Sequence, residues 1–271
     1  MAITGTTRIF TILAHPSTHV AAPAVFNFIF QALGLDMAYI AHDVLPGALE
    51  STVDACRSWE NLGGFTVTVP HKEAAAKLVD EARAPADAIG AVNTVTRSAE
   101  GKLTGHNTDG MGAVRALGDC KGTRCLVLGA GGAARAVVEG LIRHGAAHVS
   151  ILNRSSDHAQ ALLSLFAGEK TSLFSEDTLP SMDIVVQATP VADKVPFGLD
   201  LSRLRKGARV LETVMRETAL GREARRCGLN LIPGHAMLFH QTRENFQLLT
   251  GLTPPAEAVR GAFRAIGYSA P

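Results

Sequence analysis

The stretch Arg124–Val138, RCLVLGAGGAARAVV, decides the reading of this chain. Arg124 to Leu128 is a short apolar run cut off by glycine, the pattern of a strand buried on both faces. Ala133 to Arg143 then carries a helical pattern that Gly145 closes. Between them, Gly129, Gly131 and Ala134 keep the spacing G-x-G-x-x-G/A. Glycine at the first position permits the tight turn. At the second it lets backbone N–H groups approach a pyrophosphate, and the small third residue lets helix and strand pack closely. The positive end of the helix dipole faces the phosphates. The strand before and the helix after are the context this motif needs. Gly129, Ala130, Gly131, Gly132 and Ala133 are therefore expected to hold a dinucleotide.

Working downstream, His148–Leu152 reads as a strand and Asp157–Phe166 as a helix. Ile184–Gln187, Ala208–Leu211 and Leu229–Ile232 add strands, and Met237–Leu249 is a long amphipathic helix. This is a doubly wound unit. Its second strand ends at Asn153 rather than at an acid that would bind a free ribose 2′-hydroxyl. Arg154 can hold a 2′-phosphate by paired hydrogen bonds, which favours NADP. Asp157 can instead take the ribose hydroxyl, so NAD and NADP both stay open.

Upstream, strands are expected at Arg8–Leu13, Met37–Ile40 and Phe65–Val69, with helices from Pro23 through Leu33, at Leu49–Trp59 and at Lys72–Val79. Such alternation implies a parallel sheet with crossover helices. Ala91–Arg97 and Lys102–Gly105 read as a hairpin around Glu100-Gly101. Asn107 or Thr108 is a suitable cap for a helix from Gly110 to Leu117, and a domain boundary falls near there.

Composition limits the alternatives. A chain of 271 residues is long enough for two domains. It is 46% hydrophobic and 19% charged, which excludes intrinsic disorder. A net charge of +1 with no basic run gives no electrostatic case for nucleic acid. No apolar stretch approaches the roughly 20 residues of a membrane span. The N-terminus lacks a signal-type core, so a cytoplasmic location is expected. The four cysteines form no CxxC pair and the ten histidines no HExxH, so no metal site is expected.

Seven motifs then line up in order: GFTVTVPHK (Gly64–Lys72), GAVNTV (Gly90–Val95), GKLTGHNTDG (Gly101–Gly110), LGAGGAARA (Leu128–Ala136), NRS (Asn153–Ser155), QATP (Gln187–Pro190) and GHAMLFHQ (Gly234–Gln241). Together they resemble the shikimate dehydrogenase family, which includes the quinate/shikimate dehydrogenases, over nearly the whole chain. The resemblance implies a two-domain α/β protein: a Rossmann-type NAD(P) domain at 110–238 and a smaller α/β substrate-binding domain from 1–109 and 239–271, with the active site where they join. It implies a catalytic pair, Lys72 and Asp109. It also implies that Thr68, Asn93 and Gln241 bind substrate hydroxyls, that Met237 lies near the nicotinamide, and that Thr189 and Pro190 belong to the cofactor site. Lys72 would exchange the hydroxyl proton while Asp109 orients it.

The departures are equally specific. In the family, a His-Ser-x-Ser-Pro stretch after the first strand holds the substrate carboxylate with its two serines. Here it reads His19-Val20-Ala21-Ala22-Pro23. The family has a tyrosine before a Thr-Pro-Leu segment; here the region reads LETVMRETAL, and Thr213 falls at the tyrosine's place. Thr66 and Gln187 stand where the family has asparagines. Thr18, His19 and Thr213 are the candidate substitute donors. The expected function is thus an NAD(P)-dependent dehydrogenase of a cyclic polyol acid (shikimate, quinate or a relative), with an altered carboxylate pocket. The expected partner is a small-molecule substrate, with no nucleic acid or membrane, and the protein a monomer or homodimer. The alternative is a non-catalytic sensor of a nicotinamide and a metabolite, for which a proton-exchanging pair would be superfluous. A folate-type one-carbon dehydrogenase fits the VNT and NTDG motifs poorly.

Overall fold

A computed structural model describes residues 2–269. The chain divides into two compact units, one made of the residues up to Thr108 and those from Gln241 on, the other of Asp109–His240. The sequence-drawn limits, 109/110 and 238/239, lie one and two residues away.

The first unit begins β1 (Arg8–Ala14), α1 (Ala22–Ala32), β2 (Met37–Asp43), α2 (Leu49–Ser58), β3 (Leu62–Val67), α3 (Lys72–Ala76), β4 (Glu81–Ala82), α4 (Ala86–Ile89), β5 (Thr94–Arg97), β6 (Leu103–His106). Its sheet has the order β2-β1-β3-β5-β6-β4. β1 runs parallel to β2 and β3, and the β5–β6 hairpin joins antiparallel to β3. The sheet is therefore mixed, not wholly parallel.

The second unit runs α5 (Asp109–Leu117), β7 (Arg124–Leu128), α6 (Gly132–Arg143), β8 (His148–Leu152), α7 (Ser156–Leu165), β9 (Thr171–Leu173), β10 (Ile184–Gln187), β11 (Arg209–Glu212), α8 (Ala219–Arg226) and β12 (Asn230–Ile232). α9 (Gly234–Thr250) starts in it and ends in the first unit, where α10 (Ala256–Ala265) packs on α1. The sheet order β12-β11-β10-β7-β8-β9 is entirely parallel. This is the doubly wound order, with its switch point between β7 and β10.

An aromatic cluster builds one layer of the first unit's core. Phe10 of β1, Phe26 and Phe30 of α1, Tyr39 of β2 and Phe246 of α9 pack together with ring centroids 4.6–6.1 Å apart, mostly tilted or edge-on. Each such burial is worth roughly 1.5–3 kcal/mol. Leu13, Val53, Phe65, Val67 and Val95 belong to a second buried cluster of this unit. In the second unit, α5 and α6 cross at glycines. A Cβ on Gly110 would collide with the Ala136 carbonyl oxygen, and one on Gly140 would stand 2.8 Å from the Gly110 oxygen. α5 begins at Asp109, one residue before the expected start.

Because backbone fills the space at this crossing, Gly140→Val has no side chain to displace. We expect it to cost about 2 kcal/mol or more, measured by urea unfolding. Wild-type stability in that variant would show that the helices do not need this closeness.

Candidate active site

In the first unit, β1, β2 and β3 point the same way, and the two antiparallel steps to β5 and β6 return β6 to that direction. One sheet edge therefore gathers the exits of β1, β2, β3 and β6 and the start of β5, the edge at which open α/β sheets bind ligands. Backbone hydrogen bonds knit it: Thr68 N donates to Leu13 O (3.0 Å), Val67 N to Asn93 O (2.8 Å), Val92 N to Lys72 O (2.9 Å), and Asn93 N to His106 O (3.0 Å). Thr68 and Lys72 are thus brought to one edge with Asn93, which stands just before another strand. Thr68 and Lys72 are half-buried; Asn93 is buried.

Lys72 opens α3 directly after buried His71. The His71 ring bonds Val44 O through Nε2 at 2.8 Å, and its carbonyl accepts from Ala75 N at 2.8 Å. His71 fixes the turn that presents Lys72, a role the sequence reading did not assign. Asn93 is held by a buried network. Its Oδ1 accepts from Thr108 N (3.0 Å) and Thr94 Oγ1 (3.0 Å), and its Nδ2 donates to Thr108 Oγ1 (2.9 Å). Asn245 Oδ1 accepts from Thr108 Oγ1 at 2.7 Å and lies 3.0 Å from Thr94 Oγ1. Gln241, also buried, lies one helical turn before Asn245 on the same face of α9. Asn245 escaped the sequence reading, although its spacing of four from Gln241 was the available signal. Thr108 and Asn107 brace strands through these contacts and through Asn107 Nδ2 to Ala91 O (2.9 Å).

The segment after β1 differs in character. Ser17–His19 forms one 3-10 turn, and His19 and Thr18 are exposed. Val20 is half-buried and Ala22, the first residue of α1, is buried. No side chain caps α1 at Ala21. Asp43, at the end of β2, accepts from Ser17 N at 2.8 Å and bonds His15 Nδ1 at 2.8 Å. The Ser17 N–H foremost, and the His15 ring after it, hold Asp43 below the usual carboxylate range.

In the second unit the glycine-rich turn follows β7. Gly129 has φ of +115°, which favours glycine, and a Cβ there would stand 3.0 Å from Ala188 O and 3.1 Å from Thr189 Cγ2. Ala130 is buried; Gly131 is exposed at the N-cap of α6, where it brings no capping side chain. Gly132 and Ala133 form the first helical turn, and Ala134 is fully buried. After β8, Asn153 Nδ2 donates to Ser155 O (3.0 Å), and Ser155 Oγ caps α7. Arg154 is exposed, and among the described residues none holds its guanidinium. After β10, buried Gln187 donates through Nε2 to Val191 O (2.6 Å), closing the turn of half-buried Thr189 and exposed Pro190. Thr213 continues the β10–β11 ladder, its N–H on Gln187 O at 3.1 Å. Met237 packs in a core cluster with Ala130, Ala134 and Leu211. The Gly129 cradle and the unheld Arg154 fit a dinucleotide. Among the described residues no group of acids, histidines and cysteines suits a metal ion, and no helix is long and apolar enough to cross a membrane.

Residues 12–95 match the family model for the shikimate dehydrogenase substrate binding domain, and residues 112–202 that for shikimate / quinate 5-dehydrogenase. The shikimate dehydrogenase (NADP(+)) of Methanopyrus kandleri is 38% identical over 279 residues, covering 94% of each chain. This chain belongs to the shikimate dehydrogenase family. Among solved structures of that fold, the shikimate dehydrogenase of Aquifex aeolicus superposes with a TM-score of 0.89 at 30% identity, covering 97% of this chain and all of its own. The 5-ketofructose reductase of Gluconobacter sp. strain CHM43 superposes with a TM-score of 0.80 at 28% identity, covering 96% and 99%. The family is one of oxidoreductases.

One buried acid of the second unit titrates abnormally. Glu212 accepts from Thr218 Oγ1 through Oε1, while Oε2 has no partner among the described residues. Burial raises it above the usual carboxylate range, against the Thr218 hydrogen bond. The folded chain therefore keeps this proton longer than the unfolded one. Its stabilising effect is full below the unfolded value of 4.5 and is lost as pH rises through the folded value. Urea unfolding across pH 4.5–8 should show wild type losing stability relative to Glu212→Gln as pH rises; a parallel pair of curves would contradict it.

Proposed function

We propose that this protein is an NADP-dependent dehydrogenase that interconverts a secondary hydroxyl and a ketone on a polyhydroxylated compound of the shikimate–quinate kind. The gathering of Thr68, Lys72 and Asn93 at one strand edge carries the reading. It sets a proton-exchanging amine beside neutral groups suited to hold hydroxyls. The NADP preference is supported by Arg154, exposed beside the α7 N-terminus, and by the NADP(+) in the relative's name. When bound, the nicotinamide supplies the hydride acceptor or donor.

Lys72 Nζ takes the hydroxyl proton as the alcohol is oxidised and returns it as the ketone is reduced. Asp109, buried in the first turn of α5, is assigned the orienting role by the family resemblance. The Thr68 hydroxyl and the Asn93 and Gln241 amides hold neighbouring hydroxyls. The first amides of α6, between Gly131 and Ala133, receive the pyrophosphate, and the Arg154 guanidinium receives the 2′-phosphate. Thr189, Pro190 and Asn153 line the remainder of the cofactor's seat, and the Met237 side chain walls it.

The carboxylate end is altered. Two serine donors are replaced by Val20 and Ala22, and charge-assisted hydrogen bonds are worth roughly 1.5–3 kcal/mol each. Their loss costs on the order of 3 kcal/mol, over a hundredfold in affinity for a ring acid. The relatives named above include both a shikimate dehydrogenase and a ketofructose reductase, so this family's fold serves acids and ketoses alike.

Lys72→Ala should lower kcat by about 10²-fold or more while NADPH affinity, read by fluorescence titration, stays within a factor of about two. Unchanged turnover would remove Lys72 from the chemistry. Arg154→Ala should weaken NADPH about 10- to 100-fold and leave NADH unaffected. An equal effect on both would return the arginine to an ordinary surface charge.

A further inference from the structure

We propose that the compound this site prefers is uncharged, a neutral polyol or ketose rather than a hydroxy acid. The inference rests on the oxidoreductase reading above and moves its substrate from a ring acid to a neutral counterpart.

The argument starts from the donors that the segment after β1 has left to offer. The Ser17 N–H and Nδ1 of the His15 ring are both engaged by Asp43. The segment then continues through Val20 and Ala22, which have no hydroxyl, into a helix start with no capping side chain. A substrate carboxylate arriving at this part of the edge meets the methyl groups of Val20 and Ala22 and the Asp43 carboxylate, with only the neutral hydroxyl of Thr18 and the ring of His19 exposed between them. Stripping water from an anion without charge-assisted partners is costly, and a like charge nearby adds to the cost.

The groups gathered elsewhere on the edge have the opposite character. Thr68 and Asn93 are neutral, and so is Gln241 on α9. They suit hydroxyl groups, whose own donors and acceptors are paired without burying a charge. Lys72 is the one cation among these residues, and its amine is committed to the reacting oxygen. A molecule that presents only hydroxyls and a carbonyl suits these neutral groups, whereas an acid finds no second cation among them for its charge.

The test compares shikimate with its methyl ester, which keeps the ring and removes the charge, alongside fructose, 5-ketofructose and myo-inositol. Initial rates are read with NADP+ or NADPH as each compound requires, and binding by calorimetry. We expect the ester to match or exceed shikimate in kcat/KM and in affinity, and at least one neutral polyol or ketose to exceed shikimate about tenfold or more. The double variant Val20→Ser/Ala22→Ser should raise the shikimate-to-ester ratio by about 10²-fold. Shikimate surpassing its ester a hundredfold in the wild-type protein overturns the inference, as does a folded double variant with an unmoved ratio. If no compound is turned over although NADPH binds, the oxidoreductase reading falls, and the calorimetric preference between ester and acid still judges the present one.

Discussion

The side-chain amide of Asn93 is the constraint on which the first unit's site depends. A buried amide left unpaired costs about 1–3 kcal/mol per group, so its partners are fixed once the chain is folded. Its oxygen accepts the Thr108 N–H, which leaves the chain one path out of β6. Its nitrogen donates to the Thr108 hydroxyl, and that hydroxyl reaches Asn245. The start of β5, the exit of β6 and the docking of α9 are thus settled by one small set of hydrogen bonds. Those bonds hold Thr108 immediately before Asp109, and they seat the helix face that carries Gln241.

In the second unit the governing condition is close approach of backbone rather than a polar network. Gly129 takes a positive φ and leaves no room for a Cβ against Ala188, so the turns after β7 and β10 close on one another at the switch point of the sheet. Gly110 and Gly140 do the same for α5 and α6. Both contacts need a missing side chain, and both lie within elements whose apolar faces form one buried cluster. At the helix start, Gly131 brings no side-chain acceptor to the first amides of α6.

Arg124–Leu128, His148–Leu152 and Ile184–Gln187 were legible to the residue, because a parallel strand covered on both faces shows as a short, mostly apolar run. β3 was less so. Phe65–Val69 was the expected span, whereas the strand is Leu62–Val67, starting through Gly63 and Gly64 where Phe10 and the Val95 carbonyl occupy the Cβ space. The helix expected at Lys72–Val79 stops at Ala76, since Lys77 N turns back to Ala74 O and Asp80 N pairs with Leu103 O. β4 and β9 are two and three residues long and leave no periodic trace. α8 and α10 went unassigned despite an apolar spacing at Leu220/Ala224 and Val259/Ala262/Phe263. At the site, Thr68, Lys72 and Asn93 stood in recognisable motifs. His71 and Asn245 did not announce themselves, because each acts by holding residues distant in the chain: Val44 for His71, and Thr94 and Thr108, 151 and 137 positions away, for Asn245.

The proposed division between a reacting end and a recognition end is compatible with how the edge is tied. Lys72 depends on β3, on His71 and on the carbonyl contact with Val92, while the 15–22 segment depends on β1 and on Asp43. The two share backbone bonds, Thr68 N to Leu13 O and His15 N to Val69 O at 3.2 Å, which are indifferent to side-chain identity. Residues 20 and 22 can therefore exchange hydroxyl for methyl groups without moving the lysine. The helix behind them tolerates the exchange as well, because a proline in its first turn has φ already set and no N–H to be satisfied. Neither Val20 nor Ala22 is the cap, which is Ala21, so no capping hydroxyl is at stake, and α1 is held by the burial of Val25, Phe26, Ile29 and Phe30. The side chains at one strand end are thus free to change while the placement of Lys72 at another is kept.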